Sequence, residues 1–196
     1  MDDARPGDDD RRLEALLALA PLADLPRTGW IQAGPAPGRS VESVAAHAHQ
    51  TTLLAMALAP AVEPPLDLSR VLALCTVHDL PEAALGDLPR AGSRALPAGA
   101  KATAEERLTA DLTAGLGAGG PELRDAWAEY RAGATREARF ARLCDRLQMG
   151  VRAVFLARAG HRGLDGFREG LEGLDASEFA PCDSLRESIV GSLAVT

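Results

Sequence analysis

The chain has 196 residues, with 28 acidic against 21 basic side chains for a formal net charge of −7, and three cysteines. That length suits one ordinary domain able to bury roughly 70% of its unfolded surface. The acidic balance disfavours a nucleic acid polymer as partner, the odd and unpaired spacing of Cys75, Cys144 and Cys182 disfavours a complete disulfide framework and suits a reducing cytoplasm, and no stretch approaches the roughly 18 apolar residues of a membrane span.

Residues 1–10 are polar and acidic, lack the basic-then-apolar order of a secretory signal, and are expected to form a disordered tail ahead of a single domain over 11–196. Beyond them Ala and Leu dominate and only two isoleucines, Ile31 and Ile189, occur, so strand signals are poor and an all-α fold is expected. Leu13, Leu16, Leu17 and Ala20 recur at helical spacing up to the break at Pro21 to Pro26. Ser43 is a good N-cap for a helix carrying Leu53, Leu54 and Leu58 to Pro60. A third helix should start after Asp67, carry Leu68, Val71, Leu72, Cys75 and Val77 through His78 and Asp79, and stop near Leu85 and Gly86. Leu108, Leu112 and Leu116 stack at i, i+4, i+8 in a fourth, closed by the glycine-rich run 115–120, which reads as a linker and not as a phosphate loop. A helix after Pro121 presents Leu123, Trp127 and Tyr130, and a longer one spans about Ala134 to Ala159 with Asp145 near its middle. Two short helices close the chain, over Leu164 to Leu174 and from a Ser184-x-x-Glu187 capping box onward.

Chemistry concentrates at three places. His78-Asp79 lies among Leu72, Leu74, Cys75, Val77 and Leu80, and an ionisable pair in such company costs several kcal/mol unless solvated, paired or bound to metal. His47 and Asp145 sit in equally apolar segments. Two imidazoles and two carboxylates from three helices would make a mixed N/O site suited to Mn, Fe, Co, Ni, Zn or Mg, with positions left for water and substrate. The alternative is a helix-pairing network in which Asp145 bonds Arg142 or Arg146. A small phosphate ester is compatible with the acidic chain, because one cation and one or two arginines reverse the local field. Lys101 is the only lysine beside 20 arginines, so no Arg earns a role without positional support.

The order His47, His78-Asp79, Asp145 resembles the H…HD…D pattern of the HD superfamily of metal-dependent phosphohydrolases. More narrowly, Pro26-Arg-Thr-Gly-Trp30, Glu42-Ser-Val-Ala-Ala-His47, His78-Asp-Leu-Pro-Glu-Ala83 with Gly86-Asp-Leu-Pro89, and Cys144-Asp-Arg-Leu-Gln-Met149 resemble the words of the HD-domain 5'-nucleotidases, in the same order over about residues 13–175. The resemblance implies a helical bundle around one divalent ion, usually in a homodimer, that hydrolyses nucleoside 5'-monophosphates, 2'-deoxy ones being among the candidates, to nucleoside and phosphate. It implies His47, His78, Asp79 and Asp145 as metal ligands, Glu82 as a catalytic carboxylate, Asp87 as a substrate or proton-transfer contact, and Arg27 and Trp30 at the phosphate and sugar end of the substrate. Glu82 follows His78 by four residues, which puts both on one helical face if the helix is continuous.

Some positions depart from the family pattern. Ala46 stands where an acidic residue is common, and Arg146 and Gln148 where Lys and Glu are common, changes expected to alter the surroundings of the ligands and hence the metal preference. Lys101 reads as a surface residue, His49 as facing away from His47, and His161 as a loop residue. No histidine lies between Asp79 and Asp145, whereas relatives with two metals draw extra histidines from that interval, so one ion and hydrolysis are expected over two-iron oxygen chemistry. The competing functions are a phosphatase for a modified nucleotide in specialised metabolism and a nucleotide-binding regulator without turnover.

Overall fold

The computed structural model describes residues 7–34 and 41–195. Within them the chain is helical, and the only pairing of extended backbone is an isolated antiparallel bridge between Pro26 and Ser43. The helices are α1 (Asp8–Leu19), α2 (Thr28–Gln32), α3 (Val44–Leu58), α4 (Leu68–Val77), α5 (Glu82–Leu85), α6 (Arg90–Ala95), α7 (Ala100–Thr113), α8 (Gly119–Ala132), α9 (Arg136–Arg158), α10 (Asp165–Glu172) and α11 (Ala180–Ala194).

Local chemistry sets most of these boundaries. Ser43 accepts from the Ala46 amide at 3.2 Å and Asp67 from Arg70 at 3.1 Å, capping α3 and α4 as their sequences predict. Thr135 does the same for α9 through the Ala138 amide. α1 begins three residues before the expected domain start, because Asp8, Asp9 and Asp10 suit the positive end of a helix dipole and Arg12 pairs with Asp9 at 2.9 Å. Residues 1–6 of the expected tail lie outside the described residues. Leu13, Leu16 and Leu17 form the predicted stripe, yet each remains about half exposed.

Two expectations need correction. The helix carrying His78-Asp79 does not run on to Leu85: α4 ends at Val77, His78 caps it, and α5 restarts at Glu82. Pro81 explains the break, since its ring excludes the amide hydrogen that a continuous helix would need there. Ser184 does not begin the last helix either. α11 starts at Ala180 with a proline in its first turn, a position where the missing N–H costs nothing.

The core is a three-helix centre in which α3, α4 and α9 each pack on the other two, with α11 and α10 behind α9 and α8 against α4. Val71, Leu74, Phe140, Leu147 and Phe179 are buried there, Phe140 meeting Phe179 edge-on at 5.2 Å. The Pro26–Ser43 bridge, with Arg27 N donating to Glu42 O and Val44 N to Leu25 O, both at 2.9 Å, ties the segment before α2 to the start of α3. Arg27 thereby stands at the mouth of the seam between α3, α4 and α9. The glycine run lies elsewhere: a Cβ at Gly115 would come within 2.6 Å of the Arg11 carbonyl on α1, so its small size serves helix packing.

Candidate active site

His47 projects from the first turns of α3, His78 from the end of α4 and Asp145 from the middle of α9, and one donor atom of each lies within 4.8 Å of the others. His47 Nε2 is 3.0 Å from Asp145 Oδ1 and 3.9 Å from Asp79 Oδ2, while His78 Nε2 is 3.1 Å from Asp79 Oδ2 and 4.0 Å from Asp145 Oδ1. Donors about 2.0–2.2 Å from a shared ion stand roughly 3–4 Å apart, so the grouping of His47, His78 and Asp145 suits one cation, whereas Asp79, the fourth predicted ligand, lies beside that group and outside it, with Oδ2 bonded to Arg27. The tautomers suit it too. His78 Nδ1 donates to the Cys75 carbonyl at 2.8 Å and His47 Nδ1 to Gln148 Oε1 at 2.5 Å, which turns both Nε2 atoms toward the carboxylates. His78 Nε2 is buried, and its approach to Asp79 lacks hydrogen-bond alignment, so it is left without a hydrogen-bond partner. An orphaned imidazole nitrogen in a mixed N/O donor set is what a divalent ion would satisfy.

The cluster's field favours positive charge. Burial opposes protonation of His78, but the neighbouring Asp79 and Asp145 outweigh it and lift the imidazole to about 9. Burial likewise opposes the Asp145 charge, yet the hydrogen bond from His47 and the charge of His78 hold its carboxyl down at about 2. Asp79 falls below the usual carboxylate range, because His78 and Arg27 together overcome its desolvation.

A cavity of about 640 Å³ opens on this cluster, and Arg27, Trp30, Asp79, Glu82, Asp87 and Asp145 all line it. Arg27 Nη1 donates to Asp79 Oδ2 at 2.6 Å, so the guanidinium is anchored beside the ligand cluster. Trp30 is a buried indole stacked on Phe167 of α10, centroids 4.2 Å apart, with Nε1 donating to Glu42 Oε2 at 2.9 Å. Asp87 accepts from the Thr28 amide, and its carbonyl accepts from the Thr28 hydroxyl, so in this arrangement one carboxylate oxygen fixes the first turn of α2. Glu82 is buried, its Oε2 has no hydrogen-bond partner, and burial with the charges of Asp79 and Asp87 raises its carboxyl to about 9 against the pull of Arg27 and Lys101. Lys101, read from sequence as a surface residue, also lines the cavity, with Nζ 3.3 Å from Glu105 Oε1. His49 is exposed and His161 bonds the Ala33 carbonyl at 3.2 Å, both away from the cluster.

Three residues of this arrangement, Glu42, Tyr130 and Phe167, were given no role from the sequence, and Gln148 was marked there as a departure expected to alter the surroundings of the ligands. Gln148 Nε2 donates to Glu42 Oε1 and Gln50 Oε1, both at 2.9 Å, which fixes its amide so that Oε1 receives His47. Trp30, Glu42, Gln148 and His47 thus form one buried hydrogen-bonded chain from the cavity wall to the donor cluster. Tyr130 donates to Asp145 Oδ2 at 3.0 Å, holding its second oxygen. Phe167 was unassigned. Glu42 left a trace as a member of the motif word around His47, and Tyr130 as a residue presented by its helix.

A family model described as an HD domain matches residues 20–164. The human 5'-deoxynucleotidase HDDC2 is 30% identical over 145 residues, covering 72% of this chain and 66% of its own length, so the chain spans just under two thirds of that relative. A protein of known crystal structure from Pyrococcus horikoshii superposes with a TM-score of 0.75 at 26% identity, over 92% of this chain and 99% of its own. A predicted metal-dependent phosphohydrolase from Magnetospirillum magnetotacticum shares the fold, with a TM-score of 0.67 at 22% identity over 95% of this chain and 94% of its own. The family model spans the motif words and the three convergent donors, and the chain belongs to the HD-domain family.

Proposed function

We propose that the chain is a phosphomonoesterase acting on nucleoside 5'-monophosphates, with His47, His78, Asp79 and Asp145 holding one divalent ion. The observation that carries this reading is the meeting of an anchored guanidinium, a buried carboxyl and the donor cluster in one cavity. The name of the human relative supports a nucleotide as the substrate. A divalent ion supplies Lewis acidity and lowers the pKa of bound water toward about 7.

The chain's own residues do the rest. Arg27 offers permanent charge and forked donors to the phosphoryl oxygens, held in place by Asp79. The Trp30–Phe167 stack forms an aromatic wall for the sugar, and Asp87 keeps Arg27 and Trp30 in position through Thr28. In the reaction a bond forms between the water oxygen and phosphorus, and the bond from phosphorus to the 5'-oxygen breaks. The proton lost by water is balanced by one delivered to the leaving 5'-oxygen. Glu82, whose environment favours the protonated carboxyl, is the group that carries it, a role worth typically 10² to 10⁴ in rate. Products are the nucleoside and inorganic phosphate.

Phosphate release from a panel of nucleoside 5'-monophosphates with Mn, Co or Mg should exceed that of an Asp79→Ala variant. Release no greater than that control with any of these ions overturns the reading.

A further inference from the structure

The cavity contains a second pair of cations that the proposed hydrolysis does not use. Arg146 follows Asp145 on α9 and Arg90 opens α6, and both line the cavity. Among the described residues neither makes a hydrogen bond or an ion pair, and Arg146 Nε is buried with no partner. Asp145, the neighbouring carboxylate, makes no hydrogen bond to it and turns its two oxygens toward His47 and Tyr130. The two guanidiniums converge on one spot: a Cβ at Gly170 on α10 would stand 3.5 Å from Arg146 Nη2 and 4.0 Å from Arg90 Nη1, with no other heavy atom so near. In a chain with seven more acidic than basic side chains, two arginines left facing each other across a cavity are unsatisfied.

We propose that Arg90 and Arg146, over the bare backbone of Gly170, form a second anion subsite, and that the preferred substrate is a phosphomonoester bearing a further anionic group, a phosphate or a carboxylate. Guanidinium pairs take such groups through bidentate, charge-assisted hydrogen bonds, and an anion between them removes their mutual repulsion. The absence of a side chain at Gly170 leaves room for it. The Trp30–Phe167 stack adjoins the spot, since Phe167 and Gly170 lie three residues apart on one face of α10. The second anion would therefore sit on the nucleoside portion of the molecule, on the sugar or on the base. This inference rests on the phosphomonoesterase reading.

Calorimetric titration of the full chain in chelator, where no ligand is turned over, tests it with two matched pairs: adenosine 3',5'-bisphosphate against adenosine 5'-monophosphate, and orotidine against uridine 5'-monophosphate. At least tenfold tighter binding of the more anionic member is expected in one pair, and that pair identifies whether the group is a sugar phosphate or a base carboxylate. The preference should shrink to about twofold or less in Arg90→Met/Arg146→Met. Gly170→Leu keeps both arginines, adds helix propensity and fills the same volume, so it should lose the preference in a chain that melts no lower than the parent. Equal affinities within both pairs, or a preference that survives both variants, overturn the subsite. Phosphate release by the metal-loaded chain is measured in parallel: its absence rejects the phosphomonoesterase, whereas release with equal affinities rejects only the subsite.

Discussion

Glu82→Gln should stabilise the metal-free protein while disabling the enzyme. The folded chain buries the Glu82 carboxyl beside Asp79 and Asp87 and raises it to about 9, whereas in the unfolded chain it titrates near its ordinary 4.5. Above pH 4.5 the unfolded state releases a proton that the folded state keeps, so this residue's contribution to stability falls as pH rises toward 9. At about 1.4 kcal/mol per pH unit the penalty has a ceiling of about 5 kcal/mol at pH 8, and water entering the open cavity reduces it to about 1–3 kcal/mol. Glutamine carries no such penalty. Urea denaturation in chelator should therefore show near-equal stability at pH 5 and a variant more stable by about 1–3 kcal/mol at pH 8. The raised His78 works in the same pH range, its stabilisation being complete below about 6.5 and lost as pH rises through about 9, but it is present in both proteins and cancels in the difference. In the metal-loaded enzyme the variant should lose about 10² to 10⁴ in turnover. A variant that is less stable at pH 8, or that gains equally at pH 5 and pH 8, refutes the protonated, buried carboxyl.

Other residues give sharper local tests. Gln148→Met removes the acceptor of His47 Nδ1 and should weaken divalent-metal affinity by about 10- to 100-fold in a competition titration while the fold is retained; unchanged affinity would show that the buried chain from Trp30 to His47 does not orient the ligand. Arg27→Met should lower kcat/KM by about 10² to 10³ with metal content preserved, because the guanidinium acts on the phosphoryl oxygens and not on the ion. Gly150→Ala puts a methyl within 2.6 Å of Leu171 Cδ1 and 2.9 Å of Ile189 Cγ2 on the helices behind α9. Overpacking there should cost about 1–3 kcal/mol and outweigh the helix propensity gained, seen as a lower melting temperature.

The helical class and most helix starts were legible because they depend on neighbours in sequence: Ser43, Asp67 and a four-residue spacing of leucines act within one or two turns. The break at His78–Pro81 was legible only in part. Apolar periodicity argued for a continuous helix, and the proline that ends it was outweighed in that reading, although it places His78 at a helix end and Glu82 on a separate short helix. His78 still joins the donor group and Glu82 still lines the cavity that opens on it, so the break does not separate the two. The leucines of α1 show the reverse case, since spacing predicts a face without saying whether any partner covers it. Glu42 and Gln148 pair across 106 residues, and nothing periodic links them. Their neutral-amide-to-carboxylate chain became visible only when α3 and α9 were in contact. Lys101 and Arg90 were lost for a different reason, and Arg146 was marked only as a neighbour of Asp145: in a chain with 20 arginines and one lysine, residue type alone does not separate a cavity wall from a solvated surface.

The central claim, that His47, His78, Asp79 and Asp145 together hold the ion on which hydrolysis depends, is tested most directly by measuring metal content and phosphate release on the same preparations of the unaltered chain and of His78→Ala. One divalent ion per chain with phosphate release from a nucleoside 5'-monophosphate, and loss of both in the variant, is the predicted result. A chain that takes up no ion at saturating divalent metal, or a His78→Ala variant that keeps its turnover after the ion is gone, contradicts it.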